Sequence, residues 1–204
     1  LRMALLGFSA GLPLLLVFGT LSFWLREAGI DRTTIGWVSG VALLYGLKWV
    51  WAPLVDRMPL PGLTRGLGRR RAWLLLAQVG LTASLAAMAF TDPAQQLSLL
   101  VGLALATAFF SATQDIALDA YRIESAPPQE QGALAAAYQT GYRLAMIWAG
   151  AGALWIAARF DGNEATYEHA PWTAAYLAMA ASMAVGLITT LWAPEPQGAA
   201  LLTT

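Results

Sequence analysis

The stretch from Leu97 to Tyr121 reads LSLLVGLALATAFFSATQDIALDAY, and it decides the fold. It has the roughly 17 to 25 residues that a helix needs to cross the hydrocarbon core of a bilayer. Asp115 and Asp119 lie four residues apart in it, so both carboxylates fall on one face of the predicted helix. A carboxylate at the centre of a membrane helix costs roughly 2.5 to 3.5 kcal/mol, and such residues usually face a protein interior or a water-filled path. This face is therefore the predicted functional face, with the alternative that Asp119, near the end of the run, only reaches out to the headgroups.

The rest of the chain also has the composition of a membrane protein. Of its 204 residues, 58% are hydrophobic and 12% are charged, which a soluble domain with a polar exterior does not show. Five more apolar runs have the length of a span. We therefore predict an all-α membrane protein in which residues 1–204 form one bundle of six transmembrane helices. The predicted spans are, approximately, 3–25, 35–53, 72–90, 97–121, 133–158 and 172–192.

Charges in the connecting segments predict the orientation. Arg57, Arg65, Arg69, Arg70 and Arg71 lie between the second and third spans, whereas Asp92 is the only charge between the third and fourth. Short loops rich in arginine stay in the cytoplasm, so with an even number of spans both ends of the chain are predicted to be cytoplasmic. The chain has no cysteine, which excludes disulfides and thiolate chemistry. No cofactor, metal or nucleic-acid partner is predicted.

Two glycine pairs have the spacing that lets membrane helices approach closely. They are Gly7 with Gly11 in the first span and Gly36 with Gly40 in the second. Either pair marks a helix contact or arises by chance in a glycine-rich span.

The basic loop resembles the cytoplasmic signature of the major facilitator superfamily, Gly-x-x-x-Asp-Arg-x-Gly-Arg-Arg. Asp56-Arg57 follows the second span and Gly68-Arg69-Arg70-Arg71 precedes the third, with residues 58–67 between the two parts. One interpretation is a loop that only sets topology. The other is a gate, in which Asp56 accepts hydrogen bonds from arginines and from the amides of a helix N-terminus, and these bonds break when the helices rock.

Six-helix halves of such transporters consist of two three-helix units of opposite topology. Tyr45 lies near Lys48 in the second span, and Tyr142 lies beside Arg143 in the fifth. This is a weak sign of an internal repeat, because chance also produces it.

A wider resemblance extends over almost the whole chain. It is carried, in order, by GFSAGLP (7–13), WLRE (24–27), KWVWAPLVDR (48–57), GRRRAW (68–73), ATQDIALDAY (112–121), GYRL (141–144) and APEP (193–196). Together these segments look like the AmpG muropeptide permease family. That resemblance implies the major-facilitator fold, the bacterial inner membrane, and import of anhydromuropeptides from the cell wall, driven by the proton gradient.

Two departures from the family pattern limit that expectation. Residues 58–67 form a longer insertion than usual, and the chain stops shortly after the sixth span. A family member continues into a second six-helix half, and substrate binds between the halves near the bilayer midplane. We therefore expect this chain to be an N-terminal half whose partner is a missing C-terminal half, with a second copy of the same chain as the alternative.

Polar residues inside the spans are the candidates for the path of substrate and protons. Arg143 lies near the midplane of its span, where its planar guanidinium suits an anionic solute; a structural ion pair with Asp115 is the alternative. Lys48 lies at a depth similar to Asp115, and we expect these two to interact, because a carboxylate whose cation partner leaves changes its affinity for a proton. The candidates for this path are Asp115, Asp119, Gln114, Gln139, Tyr142, Arg143, Lys48 and Trp148. The candidate gate comprises Asp56, Arg57, Gly68, Arg69, Arg70, Arg71 and Arg122.

The aromatic candidates and the other function classes leave alternatives open. Tyr138, Tyr142 and Trp148 either stack on sugar faces or pack between helices.

An intramembrane protease with an aspartate dyad is disfavoured, because carboxylates at i and i+4 of one helix point in parallel and do not meet. A membrane subunit without transport activity is also disfavoured, because it would need no charged residues in mid-membrane such as Asp115 and Arg143. A transporter of another anionic solute, such as an acyl-CoA or a drug-like compound, remains the main alternative to a muropeptide permease.

Overall fold

A computed structural model of the chain describes residues 1–162 and 166–196. Within these ranges the regular structure is helical, without a β-strand, which confirms the predicted all-α class. The main segments are α1 (Arg2–Glu27), α2 (32–57), α3 (Arg69–Ala89), α4 (Pro93–Glu124), α5 (131–160) and α6 (His169–Trp192). Short helices at Leu63–Leu67 and Pro128–Glu130 lie in the α2–α3 and α4–α5 connections.

Four of these helices are long and apolar enough to cross a membrane. They are α1, α3, α4 and α6, and they match the first, third, fourth and sixth predicted spans. The α4 helix contains the whole of 97–121 and begins at Pro93, where the Asp92 carboxylate accepts a hydrogen bond from the amide of Ala94 at 3.0 Å. A carboxylate at this position satisfies an amide that has no partner within the helix.

Segment α2 is broken, which differs from the single helix predicted for 35–53. Its α-helical pieces are Arg32–Val38, Leu43–Leu47 and Ala52–Arg57, and 3₁₀ turns at Ser39–Ala42 and Lys48–Val50 separate them. Gly36, Gly40 and Gly46 each lower helix propensity by about 1 kcal/mol relative to alanine, and Pro53 has no amide to donate. Apolar surface of α2 lies outside the core, as the side chain of Trp37, which is 81% exposed, shows.

Segment α5 is continuous but less apolar. It consists of Gln131–Ile147, a π-helical turn at Trp148–Gly152 and Ala153–Phe160. At about 1.5 Å of rise per residue it is long enough to span a bilayer. Because it carries Gln139, Arg143 and Arg159, it is not one of the four most apolar helices.

Helix α1 lies directly against α5 through glycine. A β-carbon at Gly7 would overlap the carbonyl oxygen of Tyr138, one at Gly11 that of Tyr142, and one at Gly141 that of Ala4. Of the two alternatives left open for Gly7 and Gly11, the structure shows a helix contact, with α5 as the partner helix.

The other glycine pair has no such contact. Among the described residues, nothing lies within 4 Å of a β-carbon built at Gly36 or Gly40. The same sequence spacing thus marks a helix contact in α1 and none in α2.

Facing π-helical turns join α1 and α5 further along. The turn in α1 covers Leu16–Thr20, soon after Pro13, and the turn in α5 covers Trp148–Gly152. The hydroxyl of Thr20 donates to the carbonyl oxygen of Ala149 at 2.8 Å. The acceptor is a carbonyl of the π-helical turn in α5, so this bond joins the two helices where their π-helical turns face each other.

Apolar packing continues to the end of the bundle away from the arginine loop. Trp24 of α1 is fully buried and stacks on His169 and Trp172 of α6, with ring centroids 5.8 and 5.7 Å apart. The indole of Trp172 donates to Glu27 at 3.1 Å, and the indole of Trp24 donates to the hydroxyl of Tyr167 at 3.2 Å. These contacts tie α1 to α6 at this end.

Tyr167 extends the same connection to the start of α4. Its hydroxyl donates to Asp92 at 2.9 Å. Burial raises the pKa of Tyr167 well above its usual value, so the hydroxyl keeps the proton that it donates.

Candidate functional site

Arg70, at the start of α3, is the centre of a charged cluster that joins three helices. Its side chain is 7% exposed, and it lies 2.7 Å from Asp56 of α2 and 2.6 Å from Glu124 of α4. The Glu124 carboxylate accepts from both Nε and Nη2 of the guanidinium. Such two-point contacts are the strongest that arginine makes with a carboxylate.

Glu195, just after α6, binds the start of α3. Its carboxylate accepts from the amides of Arg70 and Arg71 at 2.8 and 3.1 Å, which are free amides at the positive end of a helix dipole. Gly68 has a φ of +86°, and a β-carbon there would overlap the Glu195 side chain. Glycine at 68 therefore supplies both the backbone conformation and the space for this carboxylate.

Arg71 completes the junction with α6. Its side chain donates to the carbonyl oxygens of Thr190 and Leu191 at 2.9 and 2.7 Å, so a cation lies at the negative end of that helix. We call Asp56, Arg70, Arg71, Glu124 and Glu195 the Arg70 cluster. It connects the ends of α2, α4 and α6 to the start of α3.

The structure brings some of the predicted gate residues together and leaves others apart. Asp56, Arg70 and Arg71 belong to the Arg70 cluster and Gly68 borders its Glu195, whereas Arg57 is exposed. The amides at the start of α3 bind Glu195, and Asp56 binds the side chain of Arg70. Neither glutamate of the cluster was among the predicted gate residues, although Glu195 lies in the APEP segment and Glu124 follows Arg122 by two residues.

Asp115 lies along α4, partly buried. Its Oδ1 atom is buried without a hydrogen-bond partner among the described protein atoms. Lys48 of α2 is near enough for its charge to act on Asp115. No ion pair within 4.0 Å joins Asp115 to Lys48 or to Arg143 in the described ranges. The carboxylate therefore has a cation near it but is not neutralised by direct contact.

Three tyrosines lie within electrostatic range of this carboxylate. The charge of Asp115 acts on Tyr45 of α2 and on Tyr138 and Tyr142 of α5. Tyr142 is also within range of the charge of Arg143, which is exposed on α5 one turn after the exposed Gln139. Tyr142 thus lies within electrostatic range of both the carboxylate on α4 and the cation on α5.

Asp119 and Arg122 continue the predicted stripe along α4. Arg122 lies 3.5 Å from Asp119, whose side chain is 53% exposed, and its guanidinium carbon is 6.0 Å from the ring centroid of Tyr138. A partly exposed pair of this length contributes at most about 1 kcal/mol.

The side chains of Gln114 and Trp148 bind serines on neighbouring helices. Gln114 is fully buried, and its Nε2 donates to Ser9 of α1 at 3.3 Å. The indole of Trp148 donates to Ser182 of α6 at 3.0 Å. Both side chains are held by neighbouring helices.

An open cavity lies at the Arg70 end of the bundle. A cavity of about 780 Å³ is lined there by Arg2, Tyr121, Glu124, Trp192 and Glu195, among others. None of its lining residues is Asp115, Lys48 or Arg143. It borders the Arg70 cluster and is separate from the Asp115 region.

Known proteins resemble this chain over nearly its whole length. A model of the Major Facilitator Superfamily matches residues 3–203. The anhydromuropeptide permease of Escherichia coli is 43% identical over 192 residues, which is 94% of this chain and 36% of the permease. A putative transporter, AmpG 4, of Rickettsia felis is 41% identical over 159 residues, which is 78% of this chain and 38% of that protein.

The resemblance predicted from the sequence motifs is thereby confirmed. The chain spans only about two fifths of the length of these relatives. The match across residues 3–203 places the chain in the major facilitator superfamily.

Proposed function

We propose that this chain forms the N-terminal half of a proton-coupled secondary transporter that imports anhydromuropeptides or related peptidoglycan fragments. One observation carries the proposal: within a helix long enough to cross the membrane, Asp115 has a buried carboxylate oxygen without a hydrogen-bond partner among the described protein atoms. A carboxylate in that setting is energetically costly, and such residues in membrane helices usually mark a pathway for ions or substrate. The similarity to the permease of Escherichia coli supports the substrate class.

In this proposal α2 and α5 also cross the bilayer, which makes six spans. Segments α1 to α3 and α4 to α6 form two inverted three-helix repeats, and residues 1–204 are one bundle. The Arg70 cluster faces the cytoplasm, as do both ends of the chain, in the inner membrane of a bacterium. The length of α5 and the arginines between α2 and α3 support this topology.

A second six-helix half covers the exposed side of the bundle. Large apolar side chains on α2 and α5 are exposed, including Trp49 at 70% and Ile147 at 64%. Arg143 and Gln139 are exposed as well, and charged groups in a membrane face protein or water. The second half supplies the opposite wall of a path for the solute.

The roles within this path follow from position. Asp115 takes up the proton, and Lys48 competes with that proton for the carboxylate. Arg143 and Gln139 bind carboxylates of the solute, while Tyr142 and Tyr138 contact its sugar rings. Asp119 and Arg122 extend the charged path along α4. Gln114 and Trp148 act indirectly, by fixing α4 to α1 and α5 to α6.

The Arg70 cluster acts as the gate in this scheme. Alternating access requires the helix ends to move relative to one another. Contacts from Arg70 and Arg71 hold α2, α4 and α6 to α3, and Gly68 gives Glu195 access to the α3 amides. Arg57 and Arg69 add positive charge that keeps this end in the cytoplasm.

The test is transport by a complete, two-half protein that contains this chain, reconstituted in liposomes. We expect anhydromuropeptide uptake to rise with an inward proton gradient, and each uptake event to carry protons inward. Uptake of an acyl-CoA or a drug-like anion, with no competition from anhydromuropeptides, would favour the alternative solute class. Absence of any solute-dependent proton movement would contradict the proposal.

A further inference from the structure

Two arginines line a cavity at the end of the bundle away from the Arg70 cluster. The cavity lies where α1 ends and α2 begins, and it has a volume of about 280 Å³. Its lining residues in the described part of the chain are Ser22, Phe23, Arg26, Arg32 and Ile35, none of which is acidic. Arg26 is in the last turn of α1, and Arg32 is the first residue of α2. The charge on this lining is therefore positive only.

The carboxylates nearest in sequence to the two arginines bind other groups. Glu27 accepts from the indole of Trp172 at 3.1 Å. Asp31 caps the start of α2, where it accepts from an amide at 3.0 Å and from a hydroxyl at 2.6 Å. No carboxylate of the described ranges lies within 4.0 Å of a guanidinium nitrogen of either arginine. Because like charges repel, an anion between these two cations stabilises both.

The residues of the cavity are ordered by depth. Phe23 precedes Arg26 by three positions in α1, which places the two side chains on one face of the helix. Ile35 follows Arg32 by three positions in α2 in the same way. Since α1 runs toward this end of the bundle and α2 runs away from it, each apolar residue lies about 4.5 Å deeper than its arginine. The cavity thus presents charge on its outer side and apolar surface toward mid-membrane.

This order favours an amphipathic anion over a small soluble one. A soluble anion binds the arginines but gains nothing from Phe23, whose side chain is 58% exposed. A phospholipid with an anionic headgroup uses both parts, because its phosphate accepts from guanidinium groups and its acyl chains contact apolar side chains. Helix α1 is long and apolar enough to cross a membrane, so Arg26 in its last turn lies at the level of the headgroups.

We propose that the cavity between Arg26 and Arg32 binds the phosphate of an anionic phospholipid such as phosphatidylglycerol, with Phe23 and Ile35 against its acyl chains. The bound phosphate neutralises the two cations and joins the end of α1 to the start of α2. In the topology proposed above, the lipid belongs to the outer leaflet. That choice of leaflet rests on the proposed function, whereas the site itself requires only that α1 crosses the membrane.

The test measures the lipid preference beside the cavity in the complete, two-half transporter, reconstituted in phosphatidylcholine bilayers. This chain has no cysteine, so Thr33→Cys, at an exposed position next to Arg32, carries a single fluorophore once any cysteine of the other half is replaced. Quenching by phosphatidylglycerol brominated near the headgroup, compared with phosphatidylcholine brominated there, gives the relative affinity of the two lipids. We expect a preference of about tenfold or more for phosphatidylglycerol.

The variants Arg26→Gln and Arg32→Gln should each lower this preference by about fivefold, the effect of one basic residue beside anionic lipid. Arg159→Gln is the matched control. Arg159 is an exposed arginine at the end of α5, at the same end of the bundle, but it does not line the cavity. Its variant should keep the preference within about twofold. Equal losses in all three variants would show a general effect of surface charge and overturn the site.

Competition distinguishes the lipid from soluble anions. We expect glycerol phosphate, which has the headgroup chemistry without acyl chains, to leave the quenching unchanged at millimolar concentration. Displacement by glycerol phosphate would overturn the lipid assignment, and displacement by an anhydromuropeptide would place the two arginines on the solute path instead. Equal quenching by the two lipids in the unmodified protein would also overturn it. The assay reads lipid binding without transport, so its failure is distinct from failure of the proposed function.

Discussion

The guanidinium of Arg70 binds the carboxylate of Glu124 through two nitrogens, with an Nη2–Oε1 distance of 2.6 Å and an Nε–Oε1 distance of 3.0 Å. The other partner of Arg70, Asp56, has a side chain that is 46% exposed, against 14% for Glu124. The two contacts are similar in length but differ in access to water, which screens the more exposed pair.

This difference predicts unequal effects of neutralising the two carboxylates. Glu124→Gln leaves a buried guanidinium poorly paired and should lower the free energy of unfolding by about 3 kcal/mol. Asp56→Asn should lower it by less than about 1 kcal/mol. Unfolding of both variants in detergent measures the contrast, and equal losses would show that exposure does not decide the strength of these pairs.

Close packing of α1 on α5 predicts a second contrast. Gly141→Ala forces a methyl group against the carbonyl oxygen of Ala4, so we expect a loss of about 1 to 3 kcal/mol in the free energy of unfolding. Gly36→Ala is the matched control, because its β-carbon meets open space and alanine favours a helix. An unchanged free energy of unfolding in Gly141→Ala would mean that α1 and α5 do not need this close contact.

Asp115→Asn tests the proposed proton site. In a complete transporter, the variant should insert normally and still exchange solute across the membrane, but lose uptake driven by a pH gradient, because the amide cannot take up a proton. Asp31→Asn is the control, since Asp31 caps the start of α2 at an exposed position. Gradient-driven uptake by Asp115→Asn at the unmodified rate would remove Asp115 from the proposed path.

Arg143→Leu tests whether this exposed arginine binds an anionic solute. We expect binding of anionic muropeptides to weaken by about tenfold or more, as for loss of a charge-assisted contact, and binding of neutral sugars to change little. Arg143→Lys should restore part of the affinity, because it keeps the charge without the planar fork. Equal loss for anionic and neutral compounds would assign Arg143 to structure instead.

Residues 1–204 alone should be inactive. Without a second half, Arg143 and Gln139 meet lipid or draw water into the bilayer, and the path has one wall. We expect the isolated bundle to insert but show no saturable uptake with a pH gradient. Uptake by a verified monomer would contradict the two-half proposal, whereas uptake by a dimer alone would identify a second copy as the partner.

The sequence by itself determined the helical class, the four most apolar membrane helices and the family. These follow from apolar runs of span length and from motifs such as KWVWAPLVDR and GRRRAW, which are local properties of the chain. It also indicated Asp56, Gly68, Arg70 and Arg71 as residues of one motif, because they are close in sequence.

Only the tertiary structure decided which partners these residues meet. Glu124 and Glu195 lie 54 and 125 positions from Arg70, so no local pattern pairs them with it. The glycine pairs in α1 and α2 have the same spacing, yet only Gly7 and Gly11 face another backbone. Gln114 and Asp115 are neighbours in sequence, but successive residues of a helix point in directions about 100° apart. The Gln114 amide therefore binds Ser9 of α1, while Oδ1 of Asp115 has no hydrogen-bond partner among the described protein atoms.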